Sequence, residues 1–190
     1  RLGALGLAID DIARQAVMGD PRWDAGNYPL GEGPAVGLGI ARMLNMLTYT
    51  TAAELDERFS RRPATQPNQW PTFGPSLALE TYLHHQADKL VQRFDANAYL
   101  YLTSAMDRYD AAAGRGGDAA AFARIQARVL AVGIDSDWLY PARDVAALAT
   151  GIHAAGGAAT YVEVASRHGH DAFLKDWAQF DHVLRPFMAS

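Results

Sequence analysis

The last third of the chain alternates between short apolar runs and helical stretches, a pattern that few folds accommodate. The runs "ARVLAVGI" (127–134) and "ATYVEVA" (159–165) are short and β-branched, and they predict strands. The stretch "PARDVAALATGIHAAG" between them predicts a helix, and "WAQFDHVLRPFMA" (177–189) predicts a closing helix. Strand, helix, strand and helix at this spacing predict parallel strands joined by right-handed crossovers. The fold class is therefore α/β.

The first two thirds of the chain have helical periodicity instead. Apolar residues recur every three or four positions in "AIDDIARQAVM", and similar stretches follow up to "DRYD" at 107–110. We predict a proline-rich loop at 61–75, and a flexible joint at "AAAGRGGDAAA" (111–121). This organisation predicts two domains, a helical domain over 1–125 and a strand-helix-strand-helix domain over 126–190.

Composition excludes several classes of protein. The chain has 190 residues, 49% hydrophobic content and a net charge of −4, which are typical of a soluble globular protein. The acidic balance gives no reason to expect nucleic acid or an anionic membrane as a partner. No apolar run is long enough to span a bilayer and no export signal is recognisable, so we expect a cytoplasmic protein. Because the chain has no cysteine, covalent chemistry would need an oxygen nucleophile.

Polar side chains follow both predicted strands. Asp135 and Asp137 come after the first, and His168 and His170 come after the second, with His170 33 positions beyond Asp137 (170 − 137). Functional groups of open parallel sheets collect at the carboxyl ends of their strands. An aspartate after one strand and a histidine after the next are two members of a Ser-His-Asp triad, in which the carboxylate orients the histidine that acts as general base.

Other interpretations of these residues stay open. Strand-end carboxylates also cap helices. His168, His170 and Asp171 could contribute to a zinc site, but neighbouring positions rarely converge on one ion without ligands from elsewhere. Trp138 is most simply a packing residue. We therefore predict no metal site.

Four segments resemble the homoserine O-acetyltransferase family of α/β hydrolases. "SDWLYP" (136–141) and "HGHDAFL" (168–174) are similar to its carboxyl-terminal motifs, "ETYLHHQADKLVQRFDANAYLYLTSAMDRYD" (80–110) to its helical lid, and "ARMLNMLTY" (41–49) to a lid helix at the substrate pocket. The resemblance implies the carboxyl-terminal portion of an α/β-hydrolase fold, with residues 1–125 as an inserted helical lid.

The resemblance also implies roles for individual residues. It makes Asp137 the triad carboxylate, His170 the base and Asp171 the partner of the substrate's ammonium group. Arg42 and Tyr49 stand where the family reaches the amino-acid end of its substrate. Arg42 lies in an otherwise apolar stretch, where a buried guanidinium requires an anion, either a substrate carboxylate or an internal acid. Arg42 and Tyr49 are seven residues apart and would share one face of a helix.

The sequence lacks one part of the family's machinery. No G-x-S-x-G nucleophile motif occurs in the chain, and "GPSLA" (74–78) has no second glycine and no preceding strand. The oxyanion donors that accompany the nucleophile are also missing. We therefore expect an amino-terminal half carrying the nucleophile, either as a separate chain or as a missing segment. A non-catalytic remnant or interaction module is the alternative.

With that half present, the resemblance implies acetyl transfer from acetyl-CoA to the hydroxyl of L-homoserine in methionine biosynthesis. Acetyl-CoA is then a co-substrate, and we expect no permanently bound cofactor. Serine or deacetylcephalosporin C are alternative acceptors, succinyl-CoA is an alternative donor, and ester hydrolysis is an alternative reaction. The family also implies a homodimer formed through the lid helices.

Overall fold

The structure, a computed structural model of the chain, describes residues 1–64 and 74–189. The chain divides into two compact units. The helical unit comprises Leu2–Leu47 and Ala52–Tyr109, and the α/β unit comprises Arg1, Thr48–Thr51 and Asp110–Ser190. The predicted domain boundary between residues 125 and 126 stays a prediction.

The helical unit follows the periodicity of its sequence. Its described residues form α1 (Ala4–Met18), α2 (Ala35–Thr48), α3 (Ala52–Arg58), α4 (Ala78–Val91) and α5 (Ala96–Arg108). Each of these helices coincides with a predicted helical stretch. Asp95 caps α5, because its carboxylate accepts a hydrogen bond from the backbone N–H of Ala98 at 2.8 Å.

Small residues allow the helices of this unit to pack closely. The core consists of buried side chains on α1, α2, α4 and α5, namely Ala13, Val17, Leu38, Ala41, Leu90, Ala96 and Tyr99. A Cβ atom on Gly37 would lie 2.3 Å from the carbonyl oxygen of Ala16. Glycine at position 37 therefore lets the backbone of α2 approach that of α1.

The predicted proline-rich loop lies mostly outside the described residues, which stop at 64 and resume at 74. Its flanks are joined by backbone hydrogen bonds from Ala64 to Ser76 and from Ala78 to Arg62, both 2.9 Å long. The two ends of the loop are therefore close together. In the part of the chain that the structure describes, no helix is both long and apolar enough to cross a bilayer.

Asp20 connects the end of α1 to the start of α2. Its side chain is buried, and its carboxylate accepts hydrogen bonds from the backbone N–H groups of Arg22 at 3.0 Å and Gly37 at 2.9 Å. Burial would raise the pKa of Asp20, but the donors Gly37, Arg22 and Val36 outweigh burial and lower its pKa below the ordinary value. The ionised form is therefore the one that stabilises this connection.

We expect Asp20→Ala to lower the free energy of unfolding by about 2 kcal/mol, because it leaves the buried N–H of Gly37 without an acceptor. Urea denaturation followed by circular dichroism measures this loss. The contribution of Asp20 should be present above the ordinary carboxyl pKa and disappear as the pH falls through its lower folded-state value. Asp11→Ala on the exposed face of α1 is the control. Equal stability of the two variants would contradict the prediction.

The α/β unit has the predicted parallel sheet. Strands β1 (Val129–Ile134) and β2 (Ala159–Val164) pair in parallel, with Val129 opposite Ala159 and Ile134 opposite Val164. Its described helices are α6 (Asp118–Phe122), α7 (Ala142–Ala154), α8 (Ala172–Lys175) and α9 (Trp177–Ala189). Buried apolar residues on the strands and on α6, α7 and α8 form the interior of the unit, namely Ala121, Ala131, Ile134, Ala149, Ile152, Val164 and Ala172.

The segment 111–121, predicted to be a flexible joint, contains hydrogen-bonded turns and the start of a helix, and its flexibility stays a prediction. Backbone hydrogen bonds from Ala113 to Asp110 and from Arg115 to Ala112 form successive turns, and α6 begins at Asp118. A Cβ atom on Gly151 of α7 would lie 2.7 Å from the ring of Phe122, so the ring occupies the space left by that glycine. The glycines of this segment form turns. Phe122 follows the predicted joint directly in sequence, so the prediction did not cover its contact with Gly151.

Candidate active site

Asp137 and His170 meet beyond the carboxyl ends of β1 and β2. The Nδ1 atom of His170 lies 2.9 Å from Oδ2 of Asp137. The side chain of Asp137 is 4% exposed, whereas that of His170 is 28% exposed. The carboxylate of Asp137 is thus buried, whereas the imidazole of His170 reaches solvent. The sequence spacing of these two residues predicted the contact between them.

The backbone that follows Asp137 compensates for the burial of its charge. Oδ1 of Asp137 accepts hydrogen bonds from the N–H groups of Leu139 and Tyr140, both at 2.9 Å. A buried carboxylate is costly unless its oxygens are hydrogen-bonded. With Oδ1 bound to the backbone, Oδ2 faces the imidazole. A proton on Nδ1 would be donated to Oδ2, which leaves Nε2 as the nitrogen that can accept a proton.

The hydrogen bond to Asp137 is the main cause that raises the pKa of His170 above its ordinary value of 6.5. Burial of the imidazole opposes this change, and the charges of Asp137 and Asp171 add to it. Asp137 therefore stabilises the imidazolium form, which is the form that a general base reaches during proton transfer.

Aromatic and aliphatic side chains surround the imidazole. The ring centroids of Tyr140, Phe173 and Tyr49 lie 5.2, 5.9 and 6.0 Å from that of His170. A cavity of about 310 Å³ adjoins the pair; its lining comprises Asp137 and His170 together with Val132, Ile134, Tyr140, Val145, Phe173 and Phe180. This largely apolar setting lowers the local dielectric and strengthens the contact between carboxylate and imidazole.

The short segment Thr48–Thr51 is hydrogen-bonded to the loop that carries His170. The carbonyl of Tyr49 accepts the N–H of Asp171 at 2.9 Å, and the hydroxyl of Thr51 donates to the carbonyl of Arg167 at 2.7 Å. Tyr49, predicted to share a helical face with Arg42, lies one residue beyond the end of α2. Arg42 therefore lies within the helix and Tyr49 just beyond it, and the shared face of the two side chains stays a prediction.

Trp138 also binds this segment. Its indole N–H donates to the carbonyl of Thr50 at 3.0 Å, and the side chain is 41% exposed. The interpretation of Trp138 as a simple packing residue was incomplete, since the indole fixes the backbone of Thr50. The sequence did not indicate these roles of Trp138 and Thr51, because their hydrogen bonds go to backbone carbonyls, which every residue has.

The remaining predicted site residues are placed as follows. Tyr49 and Asp171 lie with Asp137 and His170 in the α/β unit, whereas Arg42 lies half-buried on α2 in the helical unit. His168 is 3.7 Å from Asp176, measured from Nε2 to Oδ1. Residues 1–64 and 74–189 contain no group of three His, Asp or Glu side chains arranged to hold a metal ion.

The chain is similar in sequence to homoserine O-acetyltransferases. It is 46% identical to that of Symbiobacterium thermophilum over 187 residues, covering 96% of this chain and 48% of the relative. It is 40% identical to that of Carboxydothermus hydrogenoformans over 189 residues, covering 99% of this chain and 50% of the relative. The predicted resemblance to the homoserine O-acetyltransferase family is confirmed. No family model matches it.

Solved structures agree with the fold. The crystal structure of homoserine O-acetyltransferase from Bacillus anthracis matches with a TM-score of 0.88 at 21% identity, covering all of this chain and 51% of the other. Esterase E22 matches with a TM-score of 0.82 at 20% identity, covering 97% of this chain and 50% of the other. The predicted α/β-hydrolase fold is confirmed, and the small parallel sheet with many helices is consistent with a carboxyl-terminal portion.

The coverage of these relatives sets the scope of the similarity. The chain spans about half the length of the curated relatives that it matches. The similarity therefore describes this half of the relatives and not the activity of a whole enzyme.

We expect Asp137→Asn to shift the titration midpoint of His170 downward, because the carboxylate that stabilises the imidazolium is lost. A pH titration of the His170 ring resonances by NMR measures the midpoint, which should lie above 6.5 in the unchanged chain. The stabilising effect of the pair is full below the ordinary pKa of 6.5 and is lost as the pH rises through the raised value. Asp144→Asn, at an exposed position on α7, is the control. The same midpoint in all three proteins would refute this assignment.

Proposed function

We propose that this chain supplies the base, its orienting carboxylate and part of the substrate pocket of a homoserine O-acetyltransferase. The observation that carries the proposal is the 2.9 Å contact between His170 Nδ1 and Asp137 Oδ2 at the strand ends of a chain that resembles this family. The nucleophilic serine and the oxyanion donors come from an amino-terminal half, which is a separate chain or a missing segment. Acetyl-CoA is the proposed donor, and it binds only as a co-substrate.

The reaction proceeds in two acyl transfers. The serine hydroxyl loses its proton to Nε2 of His170 as its oxygen attacks the thioester carbonyl carbon of acetyl-CoA. The carbon–sulfur bond then breaks, and the CoA thiolate leaves with that proton. Next the hydroxyl of homoserine gives its proton to His170 and attacks the acyl-serine. The bond to the serine oxygen breaks, the serine recovers the proton, and O-acetylhomoserine is released.

Three side chains are proposed to hold the amino-acid acceptor. Arg42 binds its carboxylate, Asp171 binds its ammonium group, and Tyr49 contacts the same end of the molecule. The hydrogen bond between the N–H of Asp171 and the carbonyl of Tyr49 supports this assignment, because it keeps two of the three residues beside His170. We also propose a homodimer formed through the lid helices, as the family resemblance implies.

The exposed apolar surface of the α/β unit supports an additional polypeptide partner. Large apolar side chains remain accessible on the described part of this unit, including Phe173, Leu174, Trp177, Leu184 and Met188. Parallel sheets are normally covered on both faces, and their strands usually number more than two. A half-enzyme that joins the nucleophile-bearing half would bury part of this surface.

The direct test restores the missing half. This chain is co-expressed with the part of the Symbiobacterium thermophilum relative that it does not match, and the purified product is examined by intact mass spectrometry and by release of CoA from acetyl-CoA. We expect a two-chain complex and CoA release that depends on added homoserine. Absence of CoA release from a complex that does form would favour a non-catalytic interaction module.

Arg42→Ala distinguishes acyl transfer from ester hydrolysis. In that complex we expect the variant to lose about 10²-fold or more in homoserine-dependent CoA release, because a carboxylate without its charged partner binds poorly. Formation of the acyl-enzyme, followed by mass spectrometry, should survive. Arg115→Ala, at an exposed turn of the α/β unit, is the control. Esterase E22 shares the fold, and an Arg42→Ala variant with unchanged turnover would favour an ester hydrolase instead.

A further inference from the structure

The loop that carries His170 lacks a regular scaffold of its own. It runs from the end of β2 at Val164 to the start of α8 at Ala172, and contains one short 3-10 turn at Gly169–Asp171. A catalytic imidazole must be held within a fraction of an ångström of its partner to be effective. The position of His170 therefore depends on what fastens this loop.

Ser136 fastens the loop at two points. Its hydroxyl donates a hydrogen bond to the carbonyl of Ser166 and accepts one from the N–H of Gly169 at 3.1 Å. These two contacts lie on either side of His168, and Gly169 is directly bonded to His170. Because Ser136 directly precedes Asp137, one short stretch of chain carries both the orienting carboxylate and the anchor of the histidine loop.

Neighbouring contacts leave the loop little freedom to move away from Ser136. Oδ1 of Asp135 accepts the N–H of Ser166 at 2.9 Å, on the same side as Ser136. Gly169 has a φ of +62°, and a Cβ atom there would lie 3.0 Å from the carbonyl carbon of Thr50. The loop is thus confined between the end of β1 and the segment Thr48–Thr51. The hydroxyl of Ser136 accepts a hydrogen bond from the N–H of Gly169, the residue that packs against Thr50.

We propose that Ser136 is a positioning residue, whose hydroxyl fixes the backbone on both sides of His168 and so holds the imidazole of His170 against Asp137. Ser136 acts through Gly169 and takes no part in bond making. Its importance for catalysis rests on the proposed function, whereas its effect on the contact between His170 and Asp137 is a property of this chain alone.

The test measures the contact directly. In Ser136→Ala, the NMR titration midpoint of the His170 ring should fall toward 6.5, because the imidazole is no longer kept beside the carboxylate. Thr150→Ala removes a hydroxyl that bonds the Ala146 carbonyl within α7, and serves as the matched control with an unchanged midpoint. A Ser136→Ala midpoint equal to that of the unchanged chain would overturn the proposal.

A second variant keeps the test valid if Ser136→Ala fails to fold. Ser136→Cys is close in size, and the thiol makes weaker hydrogen bonds, so the midpoint should shift in the same direction by a smaller amount. No disulfide can form within the chain, because the chain has no other cysteine. An unshifted midpoint in a folded Ser136→Cys protein would likewise contradict the positioning role.

Kinetics in the two-chain complex separates this proposal from the proposed function. Ser136→Ala should lower kcat by about 10²-fold and leave the KM for acetyl-CoA unchanged, as expected for a misplaced base. A shifted His170 midpoint in a complex that has no activity even with the unchanged chain would support the positioning role and refute the acyltransferase. Normal kcat in Ser136→Ala would refute the positioning role while leaving the acyltransferase in place.

Discussion

The parallel register of β1 and β2 brings together the polar groups that follow the two strands. Ile134 and Val164 are the last paired residues, and the N–H of Asp135 continues the ladder to the carbonyl of Val164 at 3.1 Å. Beyond the strand, the side chain of Asp135 extends this connection, because it accepts a hydrogen bond from the N–H of Ser166. A slip of one residue would reverse the side-chain directions along a strand and separate these partners.

The two oxygens of Asp137 have separate tasks, and both depend on the turn that follows β1. Backbone N–H groups of Leu139 and Tyr140 bind Oδ1, so they stabilise the charge of the carboxylate independently of His170. Oδ2 orients the imidazole of His170 and stabilises its charged form. Because the turn itself supplies the donors for Oδ1, the geometry of the carboxylate follows from local chain conformation, and the register supplies only the distance to His170.

The sequence predicted these features to different depths. Periodicity located the helices of the helical unit and both strands, and the spacing of Asp137 and His170 predicted their contact, because strand ends in a parallel sheet must coincide. It did not predict Ser136 as an anchor, since the partners are backbone groups, which every residue possesses. The hydrogen bonds from Asp171 and Trp138 to the backbone of Tyr49 and Thr50 were not predicted either, because they join parts of the chain that are distant in sequence.

The proposed division of the site between this chain and another polypeptide has a physical rationale. One compact unit contains the residues that contact His170 or its loop, including Ser136, Asp137, Tyr140, Phe173 and Tyr49. Base and carboxylate can therefore form a pair without a nucleophile. Under the proposed function, the other half needs to contribute only the serine and the oxyanion donors, both of which act on the substrate carbonyl. Complementation then requires the other half to place the serine within reach of Nε2 of His170, since the proton-transfer pair is already assembled.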